Sequence, residues 1–109
     1  MLNPDYDGGH GDIQETSVAM AVDEKSVNLE YCEPLHINDL SDKITNKYIS
    51  LLNYKNGNVK IVRSFKDVVS NGWIGPYDPK NSTKELGERI LVDVIQYINE
   101  FIDDFKAVK

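Results

Sequence analysis

Apolar side chains recur every three or four residues along the last quarter of the chain. They trace one face of a helix, while acidic and amide side chains occupy the opposite face. The apolar positions are Leu86, Ile90, Leu91, Val94, Ile95, Ile98, Phe101, Ile102, Phe105 and Val108. Ser82 and Glu85 stand just before this pattern, three residues apart, as in a capping box. We therefore predict a long C-terminal helix that begins after Ser82 and packs its apolar face into a core.

The middle of the chain has the pattern of a β-hairpin. Residues 48–54 are rich in strand-forming side chains, and residues 59–62 supply a return strand. Asn56-Gly57, between them, is a strong signal for a two-residue turn. The two glycines and two prolines of residues 72–79 then exclude a long helix or a central strand, which predicts an ordered loop.

The N-terminal part combines a glycine-rich loop, residues 7–11, with a short helix. Asp12 is a good N-cap and Glu15 stands three positions later, so we predict a helix that continues over residues 16–22. Apolar side chains alternate over residues 27–31, which indicates a short strand.

Composition narrows the possible functions. The chain has 109 residues and a formal net charge of −6, from 18 acidic and 12 basic residues. This length predicts a single domain over residues 1–109. The negative charge argues against nucleic acid and against an anionic membrane surface as partners. Because the sequence has neither a signal-peptide pattern nor an apolar run of about 20 residues, we expect a cytoplasmic protein.

The single cysteine, Cys32, excludes an intrachain disulfide framework. It stands between two acidic residues in E-Y-C-E, and nearby negative charge should raise the pKa of its thiol. We therefore interpret Cys32 as a small structural residue rather than a nucleophile.

His10 is the main candidate for chemistry. It lies in the glycine-rich loop, with Asp5, Asp7, Asp12 and Glu15 within five residues. An imidazole beside carboxylates can bind a metal, transfer a proton or hydrogen-bond a polar substrate, and it can equally serve as a capping or packing residue. The residue types alone leave these alternatives open. The sequence has no phosphate-binding loop, dinucleotide fingerprint, G-x-S-x-G or H-E-x-x-H motif.

Two segments resemble motifs of the creatininase (creatinine amidohydrolase) family. With Asp7 and the glycines after it, residues 10–17 are similar to the family's D-x-x-H-x-G-x-x-E-T-S segment. Residues 71–77 and 82–89 are similar to its G-(V/W)-x-G-x-P…A-(S/T)-x-E-x-G-E-(R/K) run, which leads into the last helix. Order and separation agree, so the resemblance covers nearly the whole chain. Asp12 departs from a glycine of the family pattern, a change that could disturb the loop.

The resemblance implies an α/β fold of the three-layer α/β/α type and a dinuclear metal amidohydrolase with zinc or manganese. Such enzymes hydrolyse cyclic amides or formamides, often as homohexamers. By the same resemblance, His10 contacts the substrate or donates a proton to the leaving nitrogen, and Asp7 hydrogen-bonds the substrate's N–H groups. Glu15 is then a buried carboxylate behind the site or, in some members, a group near the metal. Tyr6, where creatininase itself carries a tryptophan, and Trp73 are the aromatic candidates for substrate binding.

The chain matches only the C-terminal portion of the family pattern. The family's E-x-H segment, a following aspartate and an N-G-H segment supply its main metal ligands, and none of the three occurs in this sequence. Two interpretations stay open. Either the chain is a part or subunit of an amidohydrolase whose site another polypeptide completes, or it is a non-catalytic remnant that acts as an interaction or oligomerisation module. Its apolar helix faces predict a homo-oligomer or a partner chain under both interpretations.

Overall fold

A computed structural model describes residues 8–109 of the chain as a mixture of helix and antiparallel sheet. The helices are α1 (Ile13–Val22), α2 (Phe65–Val68) and α3 (Lys84–Lys106), and the strands are β1 (Ile44–Tyr48), β2 (Leu51–Tyr54) and β3 (Gly57–Lys60). Two compact units are formed. The first joins the described residues up to Cys32 to Gly75–Lys109, and the second is Glu33–Ile74. The single domain over residues 1–109 stays a prediction.

In the first unit, α1 packs against the beginning of α3 at very short range. Gly87 of α3 is buried and lies directly against the backbone of Ser17, which is itself fully buried. A glycine is needed here because any Cβ at residue 87 would overlap the Ser17 carbonyl group. The Ser17 hydroxyl oxygen also accepts a hydrogen bond from the Thr83 backbone N–H at 3.1 Å. Ile90, one turn further along α3, completes the buried contact surface.

The predicted start of the C-terminal helix is wrong by one residue. The N-cap is Thr83, whose side-chain oxygen accepts from the Leu86 N–H at 3.1 Å. Ser82 is instead buried, and its hydroxyl donates to the Ile13 carbonyl at 3.2 Å. Ser82 therefore ties α1 to the residues before α3, and the neighbouring threonine takes over the capping role.

The second unit contains a three-stranded antiparallel sheet in the order β1-β2-β3. The predicted hairpin is confirmed, but its turn lies one residue earlier than expected. Tyr54 pairs with Gly57, so Lys55 and Asn56 form the two-residue loop, and Lys55 takes the positive φ of 49°. The predicted strand over residues 48–54 is divided, because Tyr48 ends β1 and a turn separates it from β2.

The predicted strand over residues 27–31 is also wrong. This segment forms a 3-10 turn, Leu29–Tyr31, preceded by another, Glu24–Ser26. The Asn28 side chain accepts from the Glu30 N–H at 3.0 Å and so caps the second turn. A local asparagine cap overrides the alternating apolar pattern here.

The loop after the hairpin is ordered, as predicted. The Trp73 indole N–H donates to the Glu33 carbonyl at 3.0 Å, and the Asn71 amide donates to the Pro34 carbonyl at 2.8 Å. Trp73 is one of the buried residues of this unit, together with Leu52, Val68 and Val69.

The distal half of α3 does not pack into a core, contrary to the sequence-based expectation. Gly87 and Ile90 are the buried residues of this helix, and every residue from Ile95 to Lys109 is exposed. The helix has 23 residues and α1 has 10, so α1 can cover only part of its length. Among the described residues, no helix is long and apolar enough to cross a membrane.

Candidate functional site

A buried aspartate organises the loop that carries His10. The Asp12 carboxylate is fully buried and accepts the Gly9 N–H at 2.6 Å and the Gln14 N–H at 3.1 Å. The first bond fixes the residue before His10, and the second caps α1. Asp12 therefore holds the loop in place, and the disturbance anticipated from its departure from the family pattern is not observed.

Gly75, the first residue of the C-terminal segment of the first unit, packs closely against Asp12. A Cβ placed on Gly75 would lie 2.5 Å from an Asp12 carboxylate oxygen and 3.0 Å from the Gly9 Cα. Two residues later, the Tyr77 carbonyl accepts the Ile13 N–H at 3.3 Å. The loop thus depends on close backbone approach by residues more than sixty positions away. In the sequence, the only sign of this close approach is the group of glycines and prolines in residues 72–79.

His10 and Glu15 form the exposed part of the site. The His10 Nδ1 lies 3.8 Å from a Glu15 carboxylate oxygen, and the two side chains are 63% and 59% exposed. Glu15 also accepts the Gly11 N–H at 2.6 Å. Its carboxylate is exposed, not buried as expected, because it turns back over the loop to reach that N–H group. An imidazole open to solvent beside a carboxylate can hydrogen-bond a polar ligand or transfer a proton.

A comparison with protein-family models decides the family. The creatininase model, described as creatinine amidohydrolase, matches residues 2–102. The chain belongs to the creatininase family. The match includes both segments on which the resemblance rests, and it supports an amidohydrolase-like function. The comparisons with curated proteins and with solved structures find no match.

Within the described part of the first unit, two of the site residues predicted for this creatininase-family chain lie side by side. His10 and Glu15 are adjacent at the start of α1. Tyr6 and Asp7 lie outside the described residues. Trp73 belongs to the second unit, where 7% of its surface is exposed and its N–H is bonded to a backbone carbonyl.

Creatininase-family members are generally metal-dependent, and a metal centre needs several ligating side chains close together. Within residues 8–109, no three His, Cys, Asp or Glu side chains are grouped so that they could hold a metal ion. Asp12, the most buried carboxylate of the loop, already accepts two backbone N–H groups. The described residues therefore do not provide the ligand set of a metal centre by themselves.

Cys32 is half-buried and lies next to an acidic side chain. Its sulfur lies 3.7 Å from an Asp78 carboxylate oxygen. Burial and then the Asp78 charge raise the pKa of the Cys32 thiol, which disfavours the nucleophilic thiolate. The direction predicted from the sequence is confirmed, but the acidic partner is Asp78, 46 residues away, rather than the flanking glutamates.

Proposed function

We propose that this chain contributes the substrate-side part of an amidohydrolase site that hydrolyses the C–N bond of a cyclic amide or a formamide. The observation that carries the proposal is the creatininase match over residues 2–102, which includes the His10 loop. We further propose that the chain is the C-terminal part or a subunit of a three-layer α/β/α domain, and that another polypeptide completes the site. The cytoplasm stays the predicted compartment.

His10 is the proton donor in this proposal. When water adds to the amide carbonyl and the C–N bond breaks, the leaving nitrogen must gain a proton, and an imidazolium can supply it. The position of the His10 side chain supports this role, because it is exposed and sits on a loop fixed by Asp12. Glu15 lies beside the ring, with a carboxylate oxygen 3.8 Å from Nδ1.

The other site residues keep narrower roles. Asp7 is proposed to accept the substrate's N–H groups, and Tyr6 to contact its ring or acyl part. Trp73 stays a predicted substrate contact, although its burial and its bond to Glu33 favour a structural role.

The proposal includes a divalent zinc or manganese ion, most of whose ligands lie outside the described residues. When bound, such an ion lowers the pKa of a coordinated water and makes it a nucleophile at neutral pH. Among residues 8–109, Glu15 is a weak candidate ligand, because its carboxylate is solvent-accessible.

A non-catalytic role is the second candidate function. The absence of a metal-holding group within residues 8–109 favours it, as does the exposed apolar surface of α3. In that case the chain is an interaction or oligomerisation module that retains the family's loop and helix without its chemistry.

Metal binding and hydrolysis separate the two functions. The chain is titrated with zinc and with manganese, alone and mixed with a polypeptide carrying the family's E-x-H and N-G-H segments, and hydrolysis of cyclic amides and formamides is followed. The proposal expects tight metal binding and hydrolysis in the mixture. If mixing restores neither, the catalytic proposal fails and the interaction module stands.

His10→Ala tests the role of the histidine in the active mixture. We expect loss of hydrolysis with a melting temperature nearly unchanged, because the side chain is 63% exposed. His36→Ala is the matched control, since His36 is the other histidine, is also exposed and lies in the second unit. A large fall in the melting temperature of His10→Ala would indicate a structural histidine instead.

A further inference from the structure

Charge is distributed unevenly along this acidic chain. Residues 43–66 hold six of its 12 basic residues and none of its 18 acidic residues. This segment forms the three-stranded sheet and continues to the start of α2. Its five lysines are all exposed, and within residues 8–109 none of them is in an ion pair: Lys43, Lys47, Lys55, Lys60 and Lys66. The sheet is therefore a positively charged region of a negatively charged chain.

Two of these lysines lie on one face of the sheet. The Lys47 Nζ donates to the Asn58 side-chain oxygen at 3.4 Å, so the Lys47 side chain reaches from β1 across β2 to β3. Asn58 and Lys60 are two positions apart in β3, and their side chains therefore point to the same face. Lys47 and Lys60 thus place positive charge on this face beside β3.

β3 is an edge strand with unpaired backbone groups. Within residues 8–109 no strand pairs with its outer side, and all of its residues are exposed. In an antiparallel ladder, every second pair of residues exchanges hydrogen bonds. The Ile61 N–H donates to the Ser50 carbonyl at 3.0 Å, so Val59, two positions earlier, also turns its backbone groups toward β2. The N–H and C=O groups of Asn58 and Lys60 therefore point to the open edge.

We propose that the edge of β3 binds an extended acidic segment of another polypeptide, which adds a fourth strand to the sheet. In strand addition, main-chain hydrogen bonds give affinity and alternate side chains give specificity. The open backbone groups of Asn58 and Lys60 supply those bonds. Carboxylates at alternate positions of the added strand, about 4.8 Å from β3, lie on the same face as Lys60 and Lys47. The proposal concerns the second unit alone and does not depend on the proposed hydrolysis.

The same features disfavour two other partners. A second copy of this chain paired edge to edge would bring two sets of lysines together, and like charges opposite each other destabilise a sheet. A nucleic acid strand has no peptide groups with which to extend the ladder. The bases of a single strand would also lack aromatic rings to stack on, because this face carries hydrogen-bonded hydroxyl and amide groups: Thr45, Asn53 and Asn58.

A short peptide of alternating glutamate and valine is the probe, and isothermal titration calorimetry with the full chain measures its affinity. The same peptide with N-methylated glutamates keeps the charge but cannot donate the main-chain hydrogen bonds. Oligothymidylate of equal charge represents nucleic acid. Lys60→Glu reverses a charge at the edge, and Lys106→Glu, at an exposed residue of α3, is the control with the same net charge. Amide hydrogen exchange followed by NMR locates the bound peptide.

We expect the glutamate peptide to bind the parent chain and to slow hydrogen exchange at the Asn58 and Lys60 N–H groups. Lys60→Glu should weaken binding at least about tenfold, because repulsion replaces attraction at the edge, whereas Lys106→Glu should weaken it less than about twofold. N-methylation of the peptide should also weaken binding at least about tenfold, because it removes hydrogen bonds.

Four outcomes overturn the proposal. The first is a glutamate peptide that does not bind at millimolar concentration. The second is equal binding of the N-methylated peptide, which would indicate charge attraction without strand addition. The third is equal weakening by Lys60→Glu and Lys106→Glu, which would reflect net charge alone. The fourth is oligothymidylate that binds as tightly as the peptide, which would indicate a nucleic-acid surface instead.

Discussion

Replacing Gly87 by alanine should destabilise the first unit, although the same change usually stabilises a helix. Alanine is favoured over glycine in a helix interior by about 1 kcal/mol. At residue 87, however, the added methyl group would overlap the Ser17 carbonyl group and lie 2.9 Å from the Val18 nitrogen. Ordinary contacts of a Cβ begin near 3.4 Å. Because the obstructing atoms belong to the backbone, no rotamer change can relieve the overlap, and the two helices must move apart.

The separation weakens contacts that can be estimated one by one. Overpacking in a close-packed contact costs about 1–3 kcal/mol. Stretching the 3.1 Å hydrogen bond from the Thr83 N–H to the buried Ser17 hydroxyl removes a bond worth about 1 kcal/mol. After the helix-propensity gain of alanine is subtracted, the net loss is about 2 kcal/mol. For a chain of this size, that corresponds to a fall in melting temperature of about 10 °C.

Thermal unfolding followed by far-ultraviolet circular dichroism measures this loss. Gly57→Ala is the matched control, because the nearest atom to a Cβ there is the Tyr54 carbonyl oxygen, at 3.9 Å. We expect the control to stay within about 0.5 kcal/mol of the parent. A Gly87→Ala melting temperature equal to or above that of the parent would refute the close approach of α1 and α3.

The remaining predictions concern the loop aspartate and the cysteine. Asp12→Ala should lower the free energy of unfolding by about 2–4 kcal/mol, because it removes the cap of α1 and leaves the Gly9 N–H unsatisfied. Asp23→Ala, the control at an exposed capping residue, should lower it by about 1 kcal/mol or less. Urea unfolding measures both, and equal losses would contradict the role of Asp12. The raised pKa of the Cys32 thiol means a smaller thiolate fraction at a given pH. The rate of alkylation by iodoacetamide should therefore rise at a higher pH in the native chain than in urea. Coincident pH profiles would refute the effect of burial and Asp78 on this pKa.

Local patterns predict the helices and the hairpin because the signals that determine them lie within a few residues. Asp12 caps α1 through the N–H of Gln14, two positions away. The same locality explains the small errors. By residue type Ser82 is the better cap, but its hydroxyl donates to the Ile13 carbonyl, and Thr83 caps the helix instead.

The exposed half of α3 could not be predicted from the periodicity alone. An apolar face predicts that something covers the helix, but it does not say whether the cover belongs to the same chain. The apolar positions from Leu91 to Phe105 have the same pattern whether they meet a core or another molecule. The length of α1, ten residues, decides how much of α3 is covered within the first unit. That length follows from the capping residues at the two ends of α1.

The two segments that carry the creatininase resemblance are distant in sequence but meet in the structure. Asp12 belongs to the first segment and Gly75 to the second, and the approach between them leaves no room for a Cβ on Gly75. The Ile13 N–H then bonds to Tyr77, and the Ile13 carbonyl accepts from Ser82. The two motifs therefore form one structural unit that positions His10. A change at Gly75 should therefore move the His10 loop as directly as a change at Asp12.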